Sequence, residues 1–175
     1  MTKLIFCYFM DYEDGRMARF ETTGDYKIPL NIFIDNASEM ASAKEGPCSI
    51  DICGVGNGVR VFASEEEYLE AKTNFALESM VPIGTFPADP DDEHFEESPH
   101  ILFTGKVIDV RQNPDAESNG PNYCVLVETL DLSFYLYIRY DALIEKGFIM
   151  HGVAWLFGDL EMEDDQYSKD SIDAE

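Results

Sequence analysis

Apolar and polar residues alternate with a period of two along much of this chain, the pattern of strands. Lys3–Met10 sets Phe6, Tyr8 and Met10 on one face and Ile5, Cys7 and Phe9 on the other. Both faces are apolar, which predicts a central strand. Asp14-Gly15 marks a turn, and Arg16–Thr22 reads as the returning strand of a hairpin. Lys27–Asp35 is a further strand, with Pro29 confined to an edge or to the strand's entry. Pro47–Cys53 and Val59–Ala63 flank a glycine-rich segment, and Asn57-Gly58 predicts a tight hairpin between them. Strands crowd the region past residue 100: Ile101–Val110, Tyr123–Leu130, Ser133–Tyr140 after a tight joint at Asp131, and Phe148–Leu156.

The period lengthens in three places. Asn36–Lys44 predicts a short helix, capped by Asn36 or Ser38 and stopped at Gly46-Pro47. Ser64–Met80 is the main predicted helix. Ser64 and Glu67 form a capping box, and three glutamates in the first turn favour the helix dipole. Tyr68, Leu69, Ala71, Lys72, Phe75, Ala76 and Met80 give it an apolar stripe at helical spacing. Asp141–Lys146 predicts a short helix ended by Gly147. No internal repeat is visible.

The expected class is therefore α+β and predominantly antiparallel β, with a main helix at about 64–80 and a short one at about 141–146. Residues 1–81 form a β-rich N-terminal part. Residues 82–99 hold four prolines and six acids, an acidic linker or long loop. Residues 100–160 form a second β part, and 161–175 an acidic, solvated tail.

Composition changes this picture in one respect. Apolar residues are 45% of the 175 and aromatics 13%, enough for a core without staples. But 35 acids stand against 12 Lys and Arg, a formal charge of −23. Such a surface repels nucleic acid and anionic membrane, and attracts cationic protein surfaces. Direct nucleic-acid binding and membrane association are not expected. Acidity alone also keeps a protein soluble, without any site. The four cysteines, Cys7, Cys48, Cys53 and Cys124, show no CxxC spacing, which points to a reducing, cytoplasmic setting. The apolar run Leu4–Met10 is too short for a membrane span.

Candidate chemistry is sparse. Gly54, Gly56 and Gly58 follow an apolar strand, but a phosphate cradle needs a helix next, and Val59-Arg60-Val61-Phe62 is β-type. The acid runs Asp89, Asp91, Asp92, Glu93 with His94, and Asp159, Glu161, Glu163, Asp164, Asp165, lack the glycine and glutamate of a calcium loop. Cysteines and histidines are too scattered for structural zinc. No nucleophile elbow appears, and His100 and His151 are the candidates for any dispersed triad. No cofactor, metal ligand set or catalytic residue is assigned. Ser133–Tyr140 turns Tyr135, Tyr137 and Arg139 to one face, an array able to stack a ligand or to pack a sheet.

The stretch Ile101 to about Leu160 resembles the OB-fold, a small Greek-key barrel. The resemblance rests on a long glycine-containing strand (Phe103-Thr104-Gly105-Lys106-Val107), a loop, the hairpin Tyr123–Tyr140, a short helix and the strand Phe148–Leu156. It supplies three to four of the five strands that fold needs. It implies a β-barrel and a face for oligonucleotides or oligosaccharides, and the acid excess opposes the former.

Three functions follow as expectations. The first is a non-catalytic interaction protein, of inhibitor or immunity type, whose Asp89, Asp91, Asp92, Glu93, Glu96 and Glu97 engage a basic partner. The alternative is a small-ligand or oligosaccharide module using Tyr135, Tyr137 and Arg139. A metal-dependent hydrolase using acids and His94 ranks last.

Overall fold

Period-two alternation becomes nine strands in the computed structural model, which describes residues 1–11, 13–130 and 132–163. They are β1 (Thr2–Phe9), β2 (Met17–Thr22), β3 (Pro29–Ile34), β4 (Gly46–Phe62), β5 (Ser79–Pro82), β6 (His100–Gln112), β7 (Tyr123–Thr129), β8 (Leu132–Ile138) and β9 (Ile149–Met162). The one α-helix among the described residues is α1 (Glu65–Glu70). The protein is thus predominantly β, in a single mixed sheet of order β1-β2-β3-β9-β4-β8-β7-β6-β5.

Two added pairings, β1–β4 and β9–β6, bend that sheet back on itself twice. One circuit runs β1-β2-β3-β9-β4 and returns to β1; the other runs β6-β7-β8-β4-β9 and returns to β6. The long β4–β9 ladder belongs to both. Each circuit closes unevenly, through a short parallel contact: Phe33 and Ile34 on Phe157 and Gly158 in one, Cys53 to Val55 on Tyr135 to Tyr137 in the other.

The two circuits are built alike. Each begins with a hairpin whose first strand carries a bulge, at Cys7 in β1 and at Ile108 in β6. Each then has a third strand and a long fourth strand that crosses into the other circuit. At each parallel contact an inward glycine faces a bulky aliphatic residue, Gly158 facing Ile34 and Gly54 facing Leu136. A Cβ on Gly158 would lie 2.3 Å from the Asp51 carbonyl oxygen, so the close approach requires glycine. The likeness lies in the strand pairing.

Inward side chains of both circuits form one continuous core, including Leu4, Phe20, Ile32 and Ile50 from the first and Phe103, Val127, Phe134 and Leu156 from the second. All of these are essentially inaccessible to water. Burying each stabilises by about 1.5–3 kcal/mol relative to exposure.

Several expected elements are corrected. The main helix ends at Glu70, because Lys72 and Asn74 take positive φ (51° and 68°) and Tyr68 Oη bonds to Phe75 O at 2.8 Å. Met80, the last member of the expected stripe, lies instead in β5. Half of the capping box holds: Ser64 Oγ accepts from Glu67 N at 3.1 Å, while the Glu67 carboxylate accepts from Ala63 N, one residue before the cap. Asp141–Lys146 is not helical, since the adjoining Gly147 N–H and Phe148 C=O bond to Val107 of β6 and Ile144 is drawn into the core. Asn36–Lys44 is a run of turns. Asn36 caps nothing there; its side chain accepts from Leu160 N and donates to Leu160 O, at 2.8 and 2.9 Å.

The expected hairpin at Asn57-Gly58 is absent. β4 runs straight through it as a single strand, with a bulge between Asn57 and Arg60 and Gly58 at φ 62°. A positive-φ glycine serves a bulge as well as a turn. In β1 the bulge at Cys7 reverses the alternation, so Tyr8 points to solvent and Phe9 packs on Phe6. The acidic tail, from Asp164 on, and Asp131 lie outside the described residues. Among the described residues no helix is long and apolar enough to cross a membrane.

Candidate functional site

The acidic segment between β5 and β6 is a loop fixed at its base. Ile83 N donates to His100 O (3.2 Å) and Ser98 N to Gly84 O (2.8 Å), closing the loop's neck. From beneath, the buried Asn31 of β3 donates its Nδ2 to Gly84 O and Ser98 O, both at 3.3 Å. Gly84 sits so close to Ser98 that a Cβ would lie 2.4 Å from the Ser98 carbonyl oxygen.

Arg19 of β2 completes the anchor. Its Nε donates to Asn31 Oδ1 at 2.7 Å and its guanidinium pairs with Glu97. The same guanidinium lies 5.3 Å from the Phe86 ring centre and 5.9 Å from that of Tyr8. Arg19 is 12% exposed, so its charge is largely taken from water and is compensated inside the fold.

This anchoring sorts the acids named from sequence. Glu97 turns inward and is spent on Arg19. Asp89 Oδ1 accepts from Asp91 N (2.9 Å) and Asp92 Oδ1 from His94 N (3.0 Å), so these two shape the loop locally. Asp89, Asp91, Asp92, Glu93 and Glu96 are all exposed. Phe86 and Tyr8 flank the loop's base, 61% and 50% exposed.

Tyr135, Tyr137 and Arg139 lie on and just past β8. Tyr135 is exposed and Tyr137 half-buried. Arg139 is occupied: it donates to Glu117 O (2.9 Å) and Gly120 O (3.1 Å), holding the loop between β6 and β7. Tyr137 lines two shallow depressions beside that loop, one shared with Val55 and Phe157, the other with Arg111 and Cys124. Burial first, then the nearby Cys124, raises the Tyr137 hydroxyl above its ordinary pKa.

The histidines each meet a hydroxyl. His100 Nδ1 lies 2.8 Å from Ser98 Oγ, and His151 Nδ1 lies 2.7 Å from the buried Thr104 Oγ1. The latter contact continues through Tyr68 Oη (3.2 Å) to Thr73 (2.6 Å). Burial lowers the pKa of both imidazoles, with Arg60 adding to the effect at His151. Among the described residues neither ring hydrogen-bonds a carboxylate.

All four thiols are free, and burial pushes Cys48 up to about 12, where it is inert. Among the described residues no three His, Cys, Asp or Glu side chains converge to hold a metal.

One further surface is assembled only by the fold. On the outer side of β3 and β9, Phe33, Trp155 and Phe157 pack on one another outside the core, with ring centres 5.3 Å (Phe33–Trp155) and 5.8 Å (Trp155–Phe157) apart. Alternation in Phe148–Leu156 gave the strand but not its outward neighbours, which only the β3–β9 contact brings together. Comparison with family models, curated proteins and solved structures finds no match to this chain.

Proposed function

We propose that this is a non-catalytic interaction protein that engages a basic protein partner through its loop of residues 83–99. One observation carries the reading. The loop is pinned at its neck by Asn31 and Arg19, while Asp89, Asp91, Asp92, Glu93 and Glu96 stand exposed upon it. A flexible acidic run loses conformational entropy on binding; a fixed one has been ordered by folding. Carboxylates held this way steer a cationic surface and speed its approach at low salt. The four free thiols support work in a reducing compartment such as the cytoplasm.

The test compares two variants of equal charge. In one, Asp89, Asp91, Asp92, Glu93 and Glu96 become amides. In the other, Glu65, Glu66, Glu70, Asp115 and Glu117 do. Binding to an immobilised lysine-rich peptide is measured at low and high salt. The first variant is expected to lose most of the salt-sensitive affinity and the second little. Equal losses would reduce the loop to its share of net charge and sink the reading.

A second reading rests on Tyr137, which lines both depressions beside the anchored loop of residues 113–122. We propose each circuit as a Greek-key barrel of OB type, β4 supplying the fifth strand of the C-terminal one. The β7–β8 face is then the ligand face of such a barrel. Oligosaccharides that raise the melting temperature, with the rise abolished by Tyr137→Ala, would favour this reading. A rise that survives the substitution removes it.

A further inference from the structure

The outer side of the ribbon shared by the two circuits carries two parallel rows of unlike chemistry. In the first row, Phe33 of β3 lies opposite Phe157 of β9, with Trp155 tilted against both and all three rings half-buried. Exposed Val55 of β4 lies opposite Trp155 and extends the apolar patch. Two residues beyond Phe33 and Phe157 comes a row of carboxylates. Asp159 follows Phe157, Asp35 follows Phe33, and Asp51 of β4 is directly opposite Asp159. All three are exposed.

Like charges directly opposite each other destabilise a sheet. Here the charges are partly met from within the fold: the Met1 amino group lies 3.7 Å from Asp51, and Arg16 opposes the rise in the Asp35 pKa that partial burial and then Asp159 cause. The three carboxylates do not converge on a point where one metal ion would sit. A set of cationic side chains spread along an extended segment matches them better. The neighbouring rings suit the same groups, because guanidinium is weakly hydrated and stacks on aromatic faces. The fold itself holds an example, with Arg16 lying 5.9 Å from the Phe33 ring centre.

We infer that this face, Phe33, Trp155 and Phe157 bordered by Asp35, Asp51 and Asp159, docks an arginine-bearing segment of a protein partner. The inference rests on the basic-partner reading above and gives that partner a second, aromatic contact. A second copy of this chain is a poor occupant, since it would bring its own charge of −23 against the carboxylate row. The rings are tilted by 37° and 38° to one another, unlike the flat platform a sugar ring needs.

Trp155 is the chain's one tryptophan, so its fluorescence reports on this face directly. The full chain is titrated at low salt with a synthetic arginine-glycine peptide and with its lysine-glycine counterpart, following peptide anisotropy and tryptophan emission together. The expected result is an emission shift that saturates with the anisotropy, and arginine tighter than lysine by roughly two- to fivefold. The double variant Asp35→Asn, Asp159→Asn, altered only at exposed positions, is expected to bind more weakly with its emission spectrum unchanged when free. Binding with Trp155 emission unmoved overturns this inference and leaves the loop reading standing. Absence of binding by either peptide overturns both. An emission change with protein concentration alone, or with an oligosaccharide in place of the peptide, assigns the face to another occupant and overturns it too.

Discussion

At the scale of the residue, the side chains that look most chemical are mostly spent on structure. Arg19, Asn31 and Glu97 form one partly buried knot under the acidic loop, and Arg139 holds a second loop by its backbone carbonyls. His151 belongs to this group, tied to Thr104 and stacked 5.1 Å from Phe75. Its folded pKa is lowered below the ordinary 6.5, so the unfolded chain takes up the proton first. Stability is therefore whole above that value and falls as pH drops below it. His100 acts with the same sign; Asp35, raised, acts with the opposite sign at more acid pH. Urea midpoints at about pH 7.5 and about pH 5.5 are expected to differ more in the native chain than in His151→Gln. An identical difference in the two would remove His151 from the account.

At the scale of the element, what could be read from sequence followed from how local each cause is. The hairpin of β1 and β2, the strand β3 and the strands β6 to β9 were legible, because alternation and turn residues sit within a few positions of each other. The cap at Ser64 was legible for the same reason. The helix beyond Glu70 was not. Phe75, Ala76 and Met80 keep helical spacing by coincidence, and the chain turns away to bring Met80 into β5. The bulge at Gly58 reads as a turn because both need a residue at positive φ; only pairing with β9 tells them apart. Of the candidate site, the acids of the loop were visible as residues, but not the anchor that presents them. Arg19 and Asn31 lie 53 to 78 residues away from their loop partners in sequence.

Two glycines should accordingly respond differently to alanine. At Gly58 the space is open and the cost is the positive φ alone, roughly 1–2 kcal/mol. At Gly158 a Cβ meets the Asp51 backbone, which cannot move aside without parting β4 from β9. Gly158→Ala is expected to cost more than Gly58→Ala, by overpacking on the order of 1–3 kcal/mol and by loss of the β3 contact. Denaturant midpoints compare the two directly, and a Gly158→Ala chain as stable as Gly58→Ala would contradict the close approach.

At the scale of the whole molecule, the two circuits share one core and one ladder. β4 and β9 cannot leave one circuit without opening the other. Thermal unfolding is expected to show a single transition, with tryptophan fluorescence at Trp155 and far-ultraviolet dichroism losing signal together. Two separated transitions would mean that the halves hold themselves independently. The strong negative charge acts at this scale as well, spread over the surface around that single core, and its self-repulsion is weakened by salt.

The exchange of long strands has a consequence for how the chain is made. The first four strands leave the ribosome early, but their circuit lacks a member until residues 149–162 emerge. At typical elongation rates of roughly 5–20 residues per second, β3 and β4 wait several seconds with open edges. During that interval the acid excess repels neighbouring copies and so opposes pairing through those edges. The acid excess of the finished surface thus also acts on the chain before its first circuit is closed.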